Sequence, residues 1–238
     1  MSKIAVPEYE SKCFLVKKLF WNRISHAIRL GKVNNKKVLD IGCGEGQLIR
    51  QITKNGTSTN IIGIDTIQPK SQTFSFVNGN ATKLPFKPES FDTAFALDVL
   101  EHIPNASLAI RQAWKVLKQE GILVISVPTE TFFYKFCRFL IKGKFNIREH
   151  IYNAKNINDK VVSNGFIKTE EVCLPNTIFA IMKVIKYRKA TRCPVCFCDG
   201  EEEINRCAVC YAKISNEEEV CSESCKKVLK KFNDEKKR

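Results

Sequence analysis

Long apolar runs are missing from this 238-residue sequence. Nowhere do about 18 uncharged apolar residues follow one another, the length needed for a membrane-spanning helix. The opening stretch, MSKIAVPEYESK, has no apolar run leading to a small-residue cleavage site, so the expected compartment is the cytosol. Histidine is scarce, with three residues, and methionine and tryptophan number two each. Any chemistry that needs an imidazole must therefore use His26, His102 or His150. Acid is also in short supply, with 25 Asp and Glu against 39 Lys and Arg, for a net charge of +14. Cysteine runs the other way. Eleven of them in a reducing compartment read as metal ligands where they cluster, and not as disulfides.

The excess of positive charge is uneven. Residues 1–37 carry +7, residues 38–130 carry −1, residues 131–190 carry +8 and residues 191–238 are neutral. A neutral centre with basic flanks favours an anionic partner, whether a phosphorylated small molecule, nucleic acid or anionic lipid; solvated lysines are the plain alternative. With 44% hydrophobic and 27% charged residues the composition is that of a globular chain, and its length suits one domain plus a small appendage.

From residue 37 short β-rich runs alternate with helical patterns, which predicts a mostly parallel sheet covered by helices. The predicted strands are Lys37–Ile41, Asn60–Ile64, Thr73–Val77, Phe91–Leu97 and Ile122–Val127. Helices are predicted over Gly46–Lys54, Ser107–Lys118, with Gly121 as its stop, and Asn156–Asn164. About eight residues separate Asp65 from the third strand, too few for the usual crossover helix. Phe166–Leu174 and Thr177–Tyr187 read as an antiparallel pair at the sheet edge. Ahead of the sheet, Cys13–Leu30 reads as an amphipathic helix, with Phe14, Leu15, Leu19, Trp21, Ile24 and Ile28 set among Lys17, Lys18, Arg23 and Arg29. Such a helix packs on a core, closes over a site as a lid, or lies on a membrane surface.

The sharpest signal is VLDIGCGEGQL, Val38–Leu48, a strand, a glycine turn with Gly42, Gly44 and Gly46, and a helix. Glycines let the backbone approach a ligand, and a helix N-terminus offers exposed N–H groups. Asp65, at the end of the second strand, stands where an acid can accept from ribose hydroxyls. The spacing is Asp-x-Gly-x-Gly-x-Gly, and an acid two residues before the first glycine suits a cationic ligand better than a pyrophosphate.

With those residues the sequence resembles the class I S-adenosylmethionine-dependent methyltransferases, in the group that includes quinone-biosynthesis, sugar and lipid methyltransferases. The resemblance runs from about Lys37 to Lys189 and rests on VLDIGCGEG, on GID ending at Asp65, on GNATKLPF, on SFDTAFALDVLEHIP and on WKVLKQEGILVISVP. It implies a Rossmann-like α/β fold, a mostly parallel seven-stranded sheet with helices on both faces. It also implies that Asp40, Gly42, Cys43, Gly44 and Gly46 hold the methionine end of S-adenosylmethionine, Cys43 only as a small filler of the turn. Asp65 and Thr66 would meet the ribose, Asn80 and Ala81 the adenine, and Leu97 the side near the sulfonium. Relatives usually carry Asp where Asn80 stands; the amide oxygen of Asn80 can still accept from the adenine amine.

A hydroxyl acceptor needs a base, and His102 and His150 are the candidates. His102 closes Asp98-Val-Leu-Glu101-His102, a pattern that resembles one used by some quinone O-methyltransferases to hold a divalent cation; in other relatives this segment only starts a helix. The segment Phe132–Phe145 joins aromatics to lysines, which suits an amphipathic, anionic, lipid-linked or small acceptor. The same mixture suits single-stranded RNA.

The tail holds Cys193, Cys196, Cys198, Cys207, Cys210, Cys221 and Cys225, a spacing that points to structural tetrahedral zinc. Cys207, Cys210, Cys221 and Cys225 form the preferred set, since Ser222 can cap a helix that places Cys225 in its first turn. Cys193 and Cys196 with Cys207 and Cys210 form a competing set. The tail resembles small treble-clef or zinc-ribbon modules, and has too few apolar residues to fold without metal. The expected organisation is an N-terminal helix or lid over 1–36, a methyltransferase domain over 37–190 and a zinc module over 191–238. The expected function is methyl transfer to a small or lipid- or sugar-linked acceptor, with possible attachment at a membrane surface. An RNA or protein methyltransferase that uses the zinc tail for recognition, and a non-catalytic cofactor-binding regulator, stay open.

Overall fold

The computed structural model describes residues 14–54, 56, 59–71, 73–129, 150–176, 180–190, 205–206 and 213–214. Seven strands, β1 (Lys37–Ile41), β2 (Asn60–Asp65), β3 (Ser75–Asn78), β4 (Phe91–Leu97), β5 (Leu117–Pro128), β6 (Phe166–Leu174) and β7 (Met182–Lys189), form one sheet in the order β3-β2-β1-β4-β5-β7-β6. The first five run parallel, whereas β7 is antiparallel to both β5 and β6. Around it lie α1 (Phe14–Gly31), α2 (Gln47–Lys54), α3 (Ala106–Val116), α4 (Ala154–Ser163) and a 3-10 turn, Leu100–His102. A two-stranded pair, β8 (Asn205–Arg206) with β9 (Lys213–Ile214), follows in the chain. No helix among the described residues is long and apolar enough to cross a membrane.

Successive side chains of a strand point to opposite faces, so each central strand feeds two cores. Leu39, Ala94, Ala96, Leu123, Ile125, Ile185 and Tyr187 pack with α3 and α4 through Ala109, Ile110, Ala113, Ile157 and Val161. Their neighbours Val38, Phe95, Val124 and Val184 pack with α1 and α2 through Ile24, Ala27, Leu30, Leu48 and Ile52. Helices therefore cover both faces, as the resemblance implies. The helix α1 lies across the sheet, and its last turn is fixed where Thr93 Oγ1 donates to the Gly31 carbonyl at 2.9 Å. A Cβ on Gly31 would stand 2.4 Å from the buried Phe95 ring, so only glycine lets the helix end so close to β4.

Several boundaries depart from the sequence-based expectation. The third helix stops at Val116, and Gly121 lies inside β5 instead of marking the stop. Tertiary contacts outweigh helix propensity there: the buried Leu117 pairs with Phe91, and Lys189 Nζ donates to the Leu117 carbonyl at 2.7 Å. The extra residues before Ile122 form a bulge in the β4–β5 register, with Glu120 in a left-handed conformation at φ 59°. The third strand begins at Ser75, and β7 begins at Met182; the expected antiparallel pair is present, with β7 between β5 and β6, so that β6 forms this edge of the sheet and β3 the other. The short connection after Asp65 contains no helix among its described residues.

Candidate cofactor and acceptor site

Strand order reverses between β1 and its neighbours β2 and β4, and the crevice beyond the carboxyl ends of such strands is where α/β sheets bind ligands. The glycine turn sits there. Gly42 N–H and Cys43 N–H both donate to the Ile64 carbonyl, at 2.8 and 3.2 Å, and Gly46 N–H donates to the Cys43 carbonyl at 2.8 Å. Gly42 is left-handed, at φ 73°, and a Cβ there would lie 2.4 Å from Val99 Cγ2. The turn is thus locked against the segment that leads into the 3-10 turn. Around Gly44 the space is open: a Cβ would meet nothing within 4 Å.

Asp65 anchors this turn from β2. Its Oδ2 accepts from Gly44 N–H at 2.9 Å, and its Oδ1 accepts from Ile67 N–H at 3.1 Å and from Thr66 Oγ1 at 3.4 Å. Asp40 is buried on β1, and burial together with the charge of Asp65 pushes its carboxyl up to about 7, while the Arg23 guanidinium pulls it down. Cys43 is buried as a filler: its Sγ would lie 2.7 Å from a Cβ on Gly63, and burial pushes its thiol up, away from the reactive thiolate. Asn80 Oδ1 accepts from Thr82 N–H at 2.9 Å and from Thr82 Oγ1 at 3.0 Å, an Asx turn that holds the loop containing Ala81. Leu97, half-buried, packs against the core beneath α1.

Arg23, one of the basic residues of the amphipathic α1, has a side chain that is only 4% exposed. It forms an ion pair with Asp98, donates to Ser126 Oγ at 3.4 Å and faces the Phe20 ring at 5.1 Å. Ser126 Oγ in turn donates to Asp98 Oδ1 at 2.6 Å. These bonds hold Asp98 in a left-handed conformation, φ 54°, at the end of β4. Arg23 is four and seven residues from Ala27 and Leu30, so it occupies the buried stripe of the helix, and this spacing is the signal that could have found it. Ser126 carries no such signal.

The pattern Asp98-x-x-Glu101-His102 is split by the fold. Asp98 turns to Arg23 and Ser126, while Glu101 and His102 meet His150, which follows β5 in the chain by more than twenty residues. The His102 and His150 rings lie 5.1 Å apart at 53°. Ile151 N–H donates to the Glu101 carbonyl at 2.8 Å and Tyr152 Oη donates to the Pro104 carbonyl at 2.5 Å, so two bonds clip the second histidine beside the first. Glu101 is 1% exposed, and burial, then the nearby Asp98, raise its carboxyl well above the usual range. The basic aromatic segment Phe132–Phe145 and the seven tail cysteines, Cys193, Cys196, Cys198, Cys207, Cys210, Cys221 and Cys225, lie outside the described residues.

The fold and this crevice are those of a Rossmann-like α/β domain with its ligand crevice where the strand order reverses. Residues 39–125 match the family model described as a methyltransferase domain. Over 112 residues the chain is 30% identical to a sterol 24-C-methyltransferase of Candida albicans, covering 42% of this chain and 29% of that protein. Over 109 residues it is 29% identical to a ubiquinone biosynthesis O-methyltransferase of Pelagibacter ubique, covering 42% of this chain and 45% of that one. The matches thus span less than half the length of these two relatives. Among solved structures, a protein of Pyrococcus horikoshii shares the fold with a TM-score of 0.61 at 16% identity, over 78% of this chain and 96% of that one.

Proposed function

We propose that this protein transfers a methyl group from S-adenosylmethionine to a small, anionic, lipid- or sugar-linked acceptor. The observation that carries the reading is the pair of acids Asp40 and Asp65 around a glycine turn that is open at Gly44, with His102 and His150 on the adjoining segment after β4. These residues fit the cofactor. A buried acid pushed up to about 7 beside a second acid is a place that a cation relieves. When bound, the cofactor supplies an electrophilic methyl group on a cationic sulfur. Asp40 and the turn Gly42, Cys43, Gly44 and Gly46 would hold its methionine end, Asp65 and Thr66 its ribose, Asn80 and Ala81 its adenine, with Leu97 near the sulfonium. Because Thr82 already occupies the Asn80 oxygen, an adenine amine must displace the Thr82 hydroxyl to reach it.

On the acceptor side, His102 or His150 would receive a hydroxyl proton, work that imidazole suits near neutral pH, and the nearness of their rings supports that reading. The relatives named for sterols and ubiquinone support a lipid-like acceptor, as does the positive charge of residues 131–190. The same reading assigns structural zinc to Cys207, Cys210, Cys221 and Cys225. In its support, the paired strands β8 and β9 bracket Cys207 and Cys210 in the sequence.

Asp40 makes the reading sensitive to pH. Raised from 3.8 to about 7, it stabilises the folded, ligand-free chain fully below about pH 4, and that contribution is lost as pH rises through 7. A bound cation favours the ionised form, so cofactor affinity should rise by roughly tenfold from pH 6 to pH 8, with proton release on binding at pH 6. Calorimetry at pH 6 in two buffers of different ionisation enthalpy measures that release, and Asp40→Asn should abolish it.

The central test is transfer of labelled methyl from S-adenosylmethionine into a cell extract, counted separately in lipid, small polar, RNA and protein fractions. Label in the lipid or small-molecule fraction is expected. Label in RNA or protein would make the tail the recognition element and overturn the acceptor assignment. Cofactor binding without transfer in any fraction would make the chain a cofactor-binding regulator.

A further inference from the structure

We propose that Arg23 is a positioning residue for both halves of the crevice. By holding Asp98 it fixes Val99 against the glycine turn and His102 beside the acceptor space, so that α1 is part of the site and not a separate lid. The inference rests on the methyltransferase reading only for what the two halves bind.

Three observations carry it. The first is the backbone at Asp98, whose φ of 54° lies in the left-handed region, which a residue with a Cβ keeps only when its surroundings hold it there. Arg23 pairs with its carboxylate, Ser126 Oγ donates to its Oδ1 at 2.6 Å, and its own N–H donates to the Ser126 carbonyl at 3.1 Å. Of these two partners, Ser126 belongs to β5 and Arg23 arrives from the helix α1.

The second is the place of the next residue. A Cβ on Gly42 would meet three atoms of the Val99 side chain, at 2.4, 3.0 and 3.2 Å, so Val99 bears directly on the first glycine of the turn. A backbone rotation at Asp98 must therefore lift Val99 off the turn or push the turn itself. The third is the segment beyond. Val99 starts the 3-10 turn, and its carbonyl accepts from His102 N–H at 3.0 Å. One backbone conformation thus sets the cofactor turn on one side and an imidazole on the other.

Arginine suits this work, because its planar fork reaches Asp98 and Ser126 together, whereas a lysine offers one point charge. Its burial also keeps salt and water from screening the pair.

The test uses the full chain. Affinity for S-adenosylmethionine is measured by calorimetry, amide exchange is followed at Gly42, Gly44 and Val99, and the ring resonances of His102 are followed by NMR after assignment with His102→Gln. Arg23→Met should weaken cofactor binding about tenfold, within the usual range for a residue that acts through others. It should also quicken exchange at the turn and shift the His102 resonances. Arg23→Lys should show the same changes at smaller size, and carries the comparison if Arg23→Met does not fold. Ile24→Ala is the control: Ile24 is 1% exposed in the apolar stripe of the same helix, so its loss lowers stability but should leave affinity and the His102 resonances as in wild type. The decisive variant joins Arg23→Met to Asp98→Gly. Glycine takes a left-handed conformation without steric cost, so this double variant should regain most of the lost affinity. Failure to regain it, an Ile24→Ala chain as impaired as the Arg23 variants, or Arg23 variants that match wild type in all three readouts would each overturn the positioning role. A wild-type chain that binds no S-adenosylmethionine sinks the methyltransferase reading instead, and exchange at Val99 with the His102 resonances still decides the role of Arg23.

Discussion

Arg23→Ala should lower the stability of this protein by about 3 kcal/mol, the usual cost of breaking a buried pair by removing one partner. For a chain of this size that corresponds to a fall of about 6–12 °C in the midpoint of thermal unfolding. The effect is large because Arg23 serves several groups at once. It pairs with Asp98, donates to Ser126 and lowers the charge strain on Asp40 and Glu101. Removing it leaves these acids in a space the guanidinium had filled, and leaves Asp98 in its left-handed conformation with Ser126 alone among the partners named above. Thermal unfolding of Arg23→Ala, Asp98→Ala and the double variant measures the coupling. The double variant should be less damaged than the sum of the two, since each single change strands the other charge. Strict additivity would mean that the pair is incidental to stability, and that α1 is held by its apolar stripe alone.

Asp65→Ala should weaken S-adenosylmethionine binding by roughly thirtyfold, the equivalent of about 2 kcal/mol for lost hydrogen bonds to a charged acceptor. The fold itself should survive, because Asp65 is only half-buried at the strand end. A second readout separates the two jobs of this residue. In the ligand-free chain Asp65 Oδ2 holds the Gly44 amide, so hydrogen exchange at Gly44 should quicken in the variant even without cofactor. Faster exchange with unchanged affinity would leave Asp65 as an anchor of the turn and remove it from the ribose. Unchanged exchange would contradict the anchoring bond.

Much of this architecture is legible along the chain. The strand β1 and the glycine turn are readable because a buried parallel strand, a tight turn and a helix start each need residue types that few other sequences supply together. The strand β4 and helix α4 follow from apolar periodicity to within two residues. The end of α3 is not readable: Trp114, Leu117 and Lys118 continue a helical pattern, and only the pairing of Leu117 with Phe91 and the distant Lys189 stop it. The burial of Arg23 is unreadable for a related reason. An arginine in an amphipathic helix is normally solvated, and its burial depends on acids that arrive from β1, the 3-10 turn and the end of β4.

The histidines show the same division. By itself the sequence determined the glycine turn, the acid at the end of β2 and the class of chemistry proposed above, because these depend on residues close together in the chain and on backbone geometry that only glycine tolerates at Gly42. Tertiary structure decided which acids face which cations. It sent Asp98 to Arg23 and brought His150 to Glu101 and His102, since charges and ligands pair by distance in space, and those distances are set by strand order and not by spacing along the chain.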